Sequence, residues 1–431
     1  MPQLLRAFRH RNYQLFFGGQ IISLTGTWMQ TVAESWLVYR LTGSSALLGV
    51  AAFASQIPIF LFAPIGGTVA DRVNRHRTIV ITQTVSMILP LALAALTLTG
   101  VVRVWHVFTL AACLGLVNAF DIPARQAFIA DMVGHDDRMN AIALNSSMVN
   151  GARVVGPAIA GLVVAAVGEG WCFLLNGISY VAVIAGLLMM HAPTRPKVPA
   201  RRSAVHDTIE GFRFVAKTTP VRALLLLLGL VSLAGMPYAV LMPIFADQIL
   251  GGGPRGLGLL MGVAGFGALC GALSVANRSG VRGLGRWVAT SAATFGVALV
   301  LFSLSRVFWL SAILLVPVGA SVMVQLASSN TLIQAMVPDT LRGRVMAVYS
   351  MMFMGMAPFG ALLAGSVAER LGAPLTVAIG GLICLAAASV FAMRLPILRG
   401  QALELIVAQE LAGGQRPAEM TGPAVEVPLK T

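Results

Sequence analysis

The sequence contains few charged residues for its length. Only 11% of its 431 residues are Asp, Glu, Lys or Arg, whereas 57% are hydrophobic. A soluble protein of average composition carries about 25% charged residues, so this chain has too few charges to cover a water-exposed surface of its size. The shortage argues against a secreted globular protein or a soluble enzyme and indicates that lipid is the main solvent.

Groups that support metal, redox or nucleophilic chemistry are also scarce. Each of the four cysteines stands singly within an apolar run, which predicts small buried side chains without disulfide bonds or metal. All six histidines lie at the edges of the apolar runs or between them. This distribution argues against an intramembrane enzyme, which would need a paired nucleophile and base or a metal cluster within the spans. A G-x-x-x-x-G-K-[ST] loop is absent, so ATP hydrolysis is not expected, and the sequence predicts no cofactor.

Acidic residues are outnumbered by basic ones, which gives the chain a net charge of +14. Nucleic-acid binding requires a basic patch on a folded soluble face. Here the basic residues stand in short tracts between long apolar runs, a distribution typical of membrane proteins. The sequence therefore predicts a lipid bilayer as partner and no nucleic acid.

The few charges divide the chain into twelve apolar segments, each long enough for one membrane-spanning helix of about 20 residues and too short for two. The fourth segment is the shortest, so we expect it to continue past Asp121. We predict an all-α polytopic membrane protein whose spans 1 to 12 occupy residues 12–39, 41–70, 78–102, 104–120, 139–168, 170–194, 223–246, 256–277, 287–305, 307–338, 345–368 and 371–393.

Lysine and arginine are distributed unevenly between the two sides that these spans define. If the N terminus is inside, the inside segments hold 24 of the 30 basic residues, the outside loops hold 5, and Arg153 lies within span 5. Basic residues are enriched in cytoplasmic loops. The distribution therefore predicts a cytoplasmic location for both termini.

The longest hydrophilic segment between spans separates the twelve spans into six and six. We expect an N-terminal six-helix bundle over residues 1–191, a C-terminal six-helix bundle over 223–395 and a cytoplasmic tail over 396–431. The segment between the bundles, 192–222, is expected to be a cytoplasmic linker that contains a short helix lying on the membrane surface, because Ile209, Phe212 and Val215 recur at helical spacing.

The two halves are related in sequence. Residues 138–168, shifted by 204 positions, match residues 342–372 at 10 of 31 positions, and the matches include all four glycines of the first copy. The shift maps span 5 onto span 11. The sequence therefore predicts a parallel repeat of six helices, an arrangement found in secondary transporters.

A basic motif follows span 2 and reads Gly67-Thr-Val-Ala-Asp71-Arg72-Val-Asn74-Arg75-His76-Arg77. It resembles the loop G-x-x-x-D-R-x-G-R-R/K of the major facilitator superfamily, with Asn74 in place of a glycine. Cytoplasmic loops are basic in any case, but that rule does not account for Asp71 four residues after Gly67. The resemblance implies the major facilitator fold and a conformational latch in which Asp71 meets the start of span 11 and Arg125. The latch candidates are Gly67, Asp71, Arg72, Arg75 and Arg125.

Further segments narrow the resemblance to the enterobactin-exporter-like branch of this superfamily. They are Leu41-Thr-Gly-Ser-Ser45, Asp121-Ile-Pro-Ala-Arg-Gln126 and Leu341-Arg-Gly-Arg-Val-Met346. Span 5 also contains Gly156-Pro157-Ala-Ile-Ala-Gly161, which is similar to the antiporter motif G-P-x-x-G-G of drug exporters, although a Gly-Pro pair in an apolar helix is often only a kink.

The resemblance covers about residues 5–395 and carries functional implications. It implies a monomeric secondary active transporter in a bacterial cytoplasmic membrane that exports siderophores or other small amphipathic molecules by proton antiport and alternating access. A proton-coupled uptake permease and a lipid-related transporter are the alternatives among transporters. Import and export are distinguished only by the resemblance.

Polar side chains within the spans are candidates for the transport path. In the family that the sequence resembles, spans 1, 4, 7 and 10 line the central cavity. Polar residues recur at helical spacing in spans 1 and 10, and such stripes face the bundle interior. Interhelical hydrogen bonding explains them equally well. The substrate-cavity candidates are Gln20, Thr27, Gln30, Thr31, Asn118, Tyr238, Gln325 and Ser328.

Ionisable residues inside the spans are candidates for proton coupling. A charge in the bilayer costs about 2.5–3.5 kcal/mol on insertion scales, so such residues usually have a partner or a function. Arg153 lies near the middle of span 5, whereas its repeat position is Ala357, so the fold does not require a charge there. We expect Glu34 in span 1 to be the coupling acid and Arg153 to bind anionic substrate or to tune Glu34. The alternatives are a static salt bridge between the two or a Glu34 in the headgroup zone, and Asp121 is the next candidate acid.

Overall fold

The computed structural model describes residues 3–134, 136–190, 204–278 and 280–412. Within these ranges the side chains of residues 3, 4, 70, 71, 204–208, 410 and 412 are not described. The predicted latch carboxylate of Asp71, linker residues 191–203 and tail residues 413–431 therefore lie outside the description.

The described part of the chain is almost entirely helical and contains no strand, which confirms the predicted fold class. Eleven helices are long and apolar enough to cross a membrane. The remaining helix, span 1, is equally long but less apolar because of its polar stripe. The observed spans are Arg11–Thr42, Ser45–Arg72, Arg75–Leu98, Val104–Val133, Arg138–Val167, Glu169–Leu188, Thr219–Ile249, Gly253–Ala276, Leu284–Leu304, Phe308–Met336, Asp339–Leu371 and Ala373–Ala412.

Local capping signals set the ends of several spans. Gly43 ends span 1 in the left-handed conformation, with φ of 63°, which favours glycine. Ser44 caps span 2 by accepting a hydrogen bond from the Leu47 N–H, and Asn74 caps span 3 by accepting one from the Arg77 N–H. Asparagine is a favoured N-cap residue, so the cap accounts physically for Asn74 where the superfamily loop has glycine.

Some helices run further than the charge pattern marked. Span 4 continues past Asp121 to Val133, as expected. Span 12 continues without interruption through Pro396 to Ala412, so the position at which the tail was expected to begin lies inside a helix.

Two further helices lie outside the spans. A short 3-10 helix, Gln3–Arg9, precedes span 1, and a linker helix, Ala204–Lys217, precedes span 7.

Spans 7 and 11 are irregular. Span 7 is a regular α-helix only over Thr219–Leu230, after which come a π-helical segment, a 3-10 turn and a second π-helical segment that ends at Ile249. Pro237 and Pro243 lie in this stretch and supply no backbone N–H, which interrupts the helical hydrogen-bond ladder. Span 11 is divided at Gly355 into two helical segments.

The packing of the spans reflects the repeat. Span 2 packs along span 4 and span 3 along span 6 in the first half, while span 8 packs along span 10 and span 9 along span 12 in the second. The two halves meet where span 2 contacts the second segment of span 11 and where span 5 contacts span 8. Because spans 2 and 5 correspond to spans 8 and 11 in the repeat, these two contacts are equivalent.

Glycines bring the backbones together at both contacts between the halves. A Cβ atom added at Gly365 of span 11 would lie 2.9 Å from the Cα of Gly49 in span 2. One added at Gly258 of span 8 would lie 2.6 Å from the Cα of Gly161 in span 5. Small residues allow such close approach of membrane helices, so the halves touch through their main chains.

Candidate functional site

The two ends of the bundle differ in how the halves meet. We call the end near Arg11, Arg75 and the linker helix the linker end, and the opposite end, where Gly43 joins spans 1 and 2, the far end. The glycine contacts of spans 2 and 11 and of spans 5 and 8 lie toward the far end. At the linker end a cavity separates the halves.

This central cavity has a volume of about 920 Å³. Ala63 and Pro64 of span 2 line it opposite Thr340 and Gly343 of span 11, so it reaches the linker end. Most of its wall is apolar. The large apolar side chains of the wall are Trp28, Ile59, Phe60, Met236, Met351, Phe353 and Met354.

Two arginines line the central cavity: Arg344, which pairs with Glu210 at 2.8 Å, and Arg153 at its inner part. The guanidinium carbon of Arg153 lies 4.8 Å from the centroid of the Trp28 ring, a cation–π geometry. Its Nε is buried without a hydrogen-bond partner, and no carboxylate of the described residues pairs with it. The arrangement leaves a positive charge that an anion in the cavity can approach.

The antiporter-like motif of span 5 follows Arg153 and packs span 5 against two other helices on the far side of the cavity. A Cβ added at Gly156 would lie 2.6 Å from the Cβ of Trp28, so glycine lets span 1 approach beneath Arg153. The carbonyl of Pro157 and the backbone of Gly161 contact Gly258 of span 8. The three motif residues therefore connect span 5 to both span 1 and the opposite half.

Hydrogen bonds join the halves at the far end. The Glu369 carboxylate of span 11 accepts hydrogen bonds from the hydroxyls of Ser44 and Ser45 and from the Ala46 N–H, at 2.8–3.0 Å. A carboxylate is favourable at a helix N-terminus, here that of span 2. The Tyr39 hydroxyl donates to Asp247 at 2.7 Å and joins span 1 to span 7. The far end is thus closed while the linker end is open.

A buried polar network connects spans 1, 3 and 4 within the first half. Asp121 is only 2% exposed and accepts hydrogen bonds from Thr82 at 2.7 Å and Gln83 at 3.0 Å. Its second carboxylate oxygen lies 3.5 Å from the Nε of Arg125. Arg125 in turn donates to Gln20 at 2.9 Å. Asp121 was predicted as a coupling residue, Arg125 as a latch residue and Gln20 as a cavity residue. The structure brings all three together in one network.

The polar stripe of span 1 faces neighbouring helices. Gln30 accepts a hydrogen bond from Asn176 of span 6 at 2.5 Å, and Thr27 contacts Tyr180 of the same span. Thr31 is exposed and donates to the Thr27 carbonyl. The contacts of Gln20, Thr27 and Gln30 correspond to the interhelical alternative, whereas the Thr31 bond stays within span 1. Span 1 contributes Trp28 to the cavity wall, a residue that the polar pattern did not indicate.

The remaining cavity candidates lie in spans 4, 7 and 10. Asn118 is half-buried in span 4. Tyr238 lies in the irregular part of span 7, close enough to Arg153 for a through-space electrostatic interaction, with its ring edge-on to Phe295 at 6.4 Å. Gln325 and Ser328 are buried in span 10, and their side-chain polar atoms have no hydrogen-bond partner.

Glu34 and Arg153 are not brought together. Glu34 is half-buried and forms a hydrogen bond with Gln30, one turn earlier on its own helix. Among the ion pairs of the described residues, none joins Glu34 to Arg153. Glu34 keeps its place as a candidate acid without a cationic partner.

The latch region contains a contact that the motif did not indicate. Arg75 at the start of span 3 pairs with Asp131 near the end of span 4 at 2.9 Å. Arg72 is exposed, and a Cβ added at Gly67 would have no atom within 4 Å. The motif glycine thus faces open space in the state that is open at the linker end.

Sequence reasoning missed Trp28, Asp131 and Glu369. Asp131 and Glu369 stand near the ends of their spans, where a single charge is unremarkable. Their partners lie 56 and more than 300 positions away, and only the packing of the helices reveals them. An isolated acidic residue beside an apolar span was the only available signal.

The family model described as transmembrane secretion effector matches residues 4–421 of this chain. Several curated proteins are similar over most of their length. The staphyloferrin A transporter of Staphylococcus aureus is 25% identical over 87% of this chain and 94% of its own. The multidrug efflux pump Tap of Mycolicibacterium fortuitum is 28% identical over 80% of this chain and 87% of its own. The enterobactin exporter EntS of Shigella boydii is 24% identical over 96% of this chain and 95% of its own.

Solved structures with the same fold are also similar to this chain. A mutant form of the nucleoside transporter NupG superposes with a TM-score of 0.71 at 14% identity, over 89% of this chain and 99% of its own. A POT family transporter in complex with 5-aminolevulinic acid superposes with a TM-score of 0.73 at 11% identity, over 90% and 97%. At these identities the likeness concerns the fold alone.

Proposed function

The chain belongs to the transmembrane secretion effector family of the major facilitator superfamily, and we propose that it exports small amphipathic anions of siderophore or drug type from a bacterial cytoplasm. The membership confirms the resemblance indicated by the motifs, and it makes the protein a multi-pass membrane transporter rather than an enzyme. The observation that carries the proposed substrate class is Arg153, without a carboxylate partner among the described residues, in a mainly apolar cavity.

The cavity supports an amphipathic substrate because it combines two chemistries. Its methionine and phenylalanine side chains suit a flexible apolar body, since methionine adapts to varied shapes. Arg153 supplies a positive charge that has no carboxylate partner among the described residues. Guanidinium groups bind carboxylates and phosphates with two parallel hydrogen bonds. One relative is named as a staphyloferrin A transporter, one as an enterobactin exporter and one as a multidrug efflux pump, which agrees with a small amphipathic substrate.

The orientation of the chain agrees with export, a direction that rests on the exporter and the efflux pump among the relatives. The excess of basic residues at the linker end supports a cytoplasmic location for that end and for both termini. The cavity then opens to the cytoplasm, where an exporter loads its substrate. Release requires the opposite state, in which the Glu369 and Tyr39 contacts break and the linker end closes.

We assign proton coupling to Asp121 and Arg125. A buried carboxylate that contacts a cation on its own helix and two side chains of span 3 is suited to link its protonation to helix packing. Protonation would weaken the attraction between Asp121 and Arg125 and leave the Gln20 contact as the partner of the arginine. A proton entering from outside would thereby reset the exporter. Glu34 is the competing acid. Transport driven by a pH gradient, measured for the Asp121→Asn and Glu34→Gln variants, distinguishes the two.

A single chain is sufficient for this mechanism. Both walls of the cavity, the cation and the buried carboxylate come from one chain. We therefore propose that the monomer is the functional unit.

The proposed substrate class is tested by replacing Arg153 with glutamine. Purified protein is reconstituted in liposomes with an imposed pH gradient, and transport of anionic siderophores and of cationic drugs is compared. Loss of a charge-assisted hydrogen bond should lower the transport of anions about tenfold and leave cations unaffected. Arg255→Gln removes an exposed charge from span 8 and serves as control. Unchanged anion transport by Arg153→Gln would show that this residue does not select the substrate.

A further inference from the structure

A second cavity of about 840 Å³ lies at the linker end of the second half. It is enclosed by the start of span 7, the connection between spans 8 and 9, the end of span 10 and the extension of span 12 beyond Pro396. Four arginines line it: Arg278, Arg282, Arg286 and Arg399. The central cavity uses none of them.

The four arginines have no acidic partner in the described part of the chain. No Asp or Glu lines the cavity, and none of these arginines takes part in an ion pair there. Arg278 is held in place, because it donates to the Arg282 carbonyl at 2.7 Å and lies 4.7 Å above the Trp287 ring. The cluster thus presents a concentrated, partly ordered positive charge.

The first half treats the equivalent region differently. There Arg75 is neutralised by Asp131 at 2.9 Å. The repeat position of Asp131 is Ala335 in span 10, so the second half lacks the acid. The missing carboxylate leaves the four arginines without an acidic partner among the described residues, so an anion from outside the chain can approach them.

The interior of the second cavity is apolar. Leu398 and Ile406 of the span 12 extension are 6% and 4% exposed and face Leu224 of span 7 and Leu332 of span 10 across it. Phe391 and Met336 complete the apolar surface. An apolar cleft with a cationic rim, at the level where helices leave the bilayer, matches a lipid with an anionic headgroup.

We infer that this cavity binds an anionic phospholipid. The phosphate contacts the arginines, and an acyl chain lies against the apolar residues of spans 7, 10 and 12. The bound lipid connects the span 12 extension to the connection between spans 8 and 9. Arginine suits this task because its planar guanidinium binds phosphate with paired hydrogen bonds.

The test measures lipid binding by the full-length protein with native mass spectrometry. The probes are phosphatidylglycerol, phosphatidylcholine of the same acyl chains, and inorganic phosphate. We expect phosphatidylglycerol to bind preferentially and the double variant Arg282→Gln/Arg286→Gln to lose about tenfold in its binding. The matched control, Arg255→Gln/Arg370→Gln, removes two arginines from the far end and should bind as the wild type does.

A second measurement separates binding from folding. Phosphatidylglycerol should raise the melting temperature of the wild type and of the control but not that of the Arg282→Gln/Arg286→Gln variant. Because Arg282 and Arg286 are exposed, we expect this variant to insert into the membrane and fold. Equal binding of both lipids, or wild-type binding by this variant, would overturn the inference. Displacement of phosphatidylglycerol by inorganic phosphate at similar concentration would also overturn it, because the site would then recognise a free anion.

Discussion

The two halves share one helical framework but differ in the chemistry of their interiors. In span 4, Asp121 and Arg125 form a buried ion pair with hydrogen-bonded neighbours. The positions related to them by the 204-residue repeat are Gln325 and Ser329 of span 10, which are buried and have no hydrogen-bond partners. The second half therefore folds without charges at these positions, so the fold alone does not require the ion pair of the first.

The same asymmetry recurs at two further positions. Arg153 of span 5 corresponds to Ala357, and Asp131 of span 4 corresponds to Ala335. A buried charge is costly in a membrane and is usually retained for a function. The charged groups proposed for substrate binding and coupling therefore lie in the first half.

The largest expected effect comes from removing the charge of Asp121. Asp121→Asn keeps acceptor capacity for Thr82 and Gln83 but leaves Arg125 without its carboxylate. Breaking a buried pair is strongly unfavourable, by about 3–5 kcal/mol. Accumulation of substrate against its gradient under a pH gradient should be lost in proteoliposomes.

The repeat supplies the control for this experiment. Gln325→Asn shortens the amide at the equivalent position of span 10 and should retain coupled transport. If Asp121→Asn still transports uphill while Glu34→Gln does not, the coupling acid is Glu34, and the charged network of the first half is structural.

A smaller effect is expected at the contact of spans 5 and 8. Gly161→Ala would place a methyl group 2.9 Å from both the Gly258 Cα and the Pro254 carbonyl, so the helices must separate. The far end should open, and a cysteine introduced at Ala46 in a cysteine-free background should react several-fold faster with an impermeant maleimide. Gly151→Ala, on the same helix with no atom within 4 Å of the added carbon, is the control. Equal reaction rates in the two variants would refute tight packing at Gly161.

The predicted latch should have a moderate effect. A carboxylate at the N-terminus of span 11 contributes about 0.3–1 kcal/mol, so Asp71→Asn should lower the transport rate about two- to fivefold and favour the state open to the cytoplasm. Distances between spin labels at the linker end measure this shift. The second half has Asn277-Arg278 at the equivalent place, so Asn277→Ala should change nothing. Wild-type transport by Asp71→Asn would remove the latch from the mechanism.

The smallest effect is expected at Glu369. Its hydrogen bonds to Ser44, Ser45 and Ala46 lie at an exposed edge. Water screens the charge there, so we expect a contribution at the low end of the range for exposed charged contacts, about 0.2–0.4 kcal/mol. Glu369→Gln should raise the labelling rate of the same far-end cysteine by about twofold or less. Its repeat position, Ala165, offers Ala165→Gln as a control with no expected effect. A large increase in Glu369→Gln would make this contact the main gate.

Much of the fold was predictable because its signals are local. The sparse charges marked the spans, and the glycines shared by 138–168 and 342–372 marked the repeat. The irregular course of span 7 was not predicted, although Pro237 and Pro243 were visible, because prolines in membrane helices are tolerated with or without a break. The arginine-lined second cavity was also not predicted, because its walls come from four separate parts of the chain.

The sequence by itself determined that the protein is embedded in lipid, how many spans it has and that the spans form a repeat. The reason is that the cost of placing a charge in lipid applies residue by residue along the chain. Only the tertiary structure decided what each polar side chain does. Gln20, Thr27 and Gln30 lie on one helical stripe, yet their partners Arg125, Tyr180 and Asn176 stand on two other spans. A hydrogen bond depends on which donor lies within about 3 Å, and that distance is set by helix packing rather than by position in the chain.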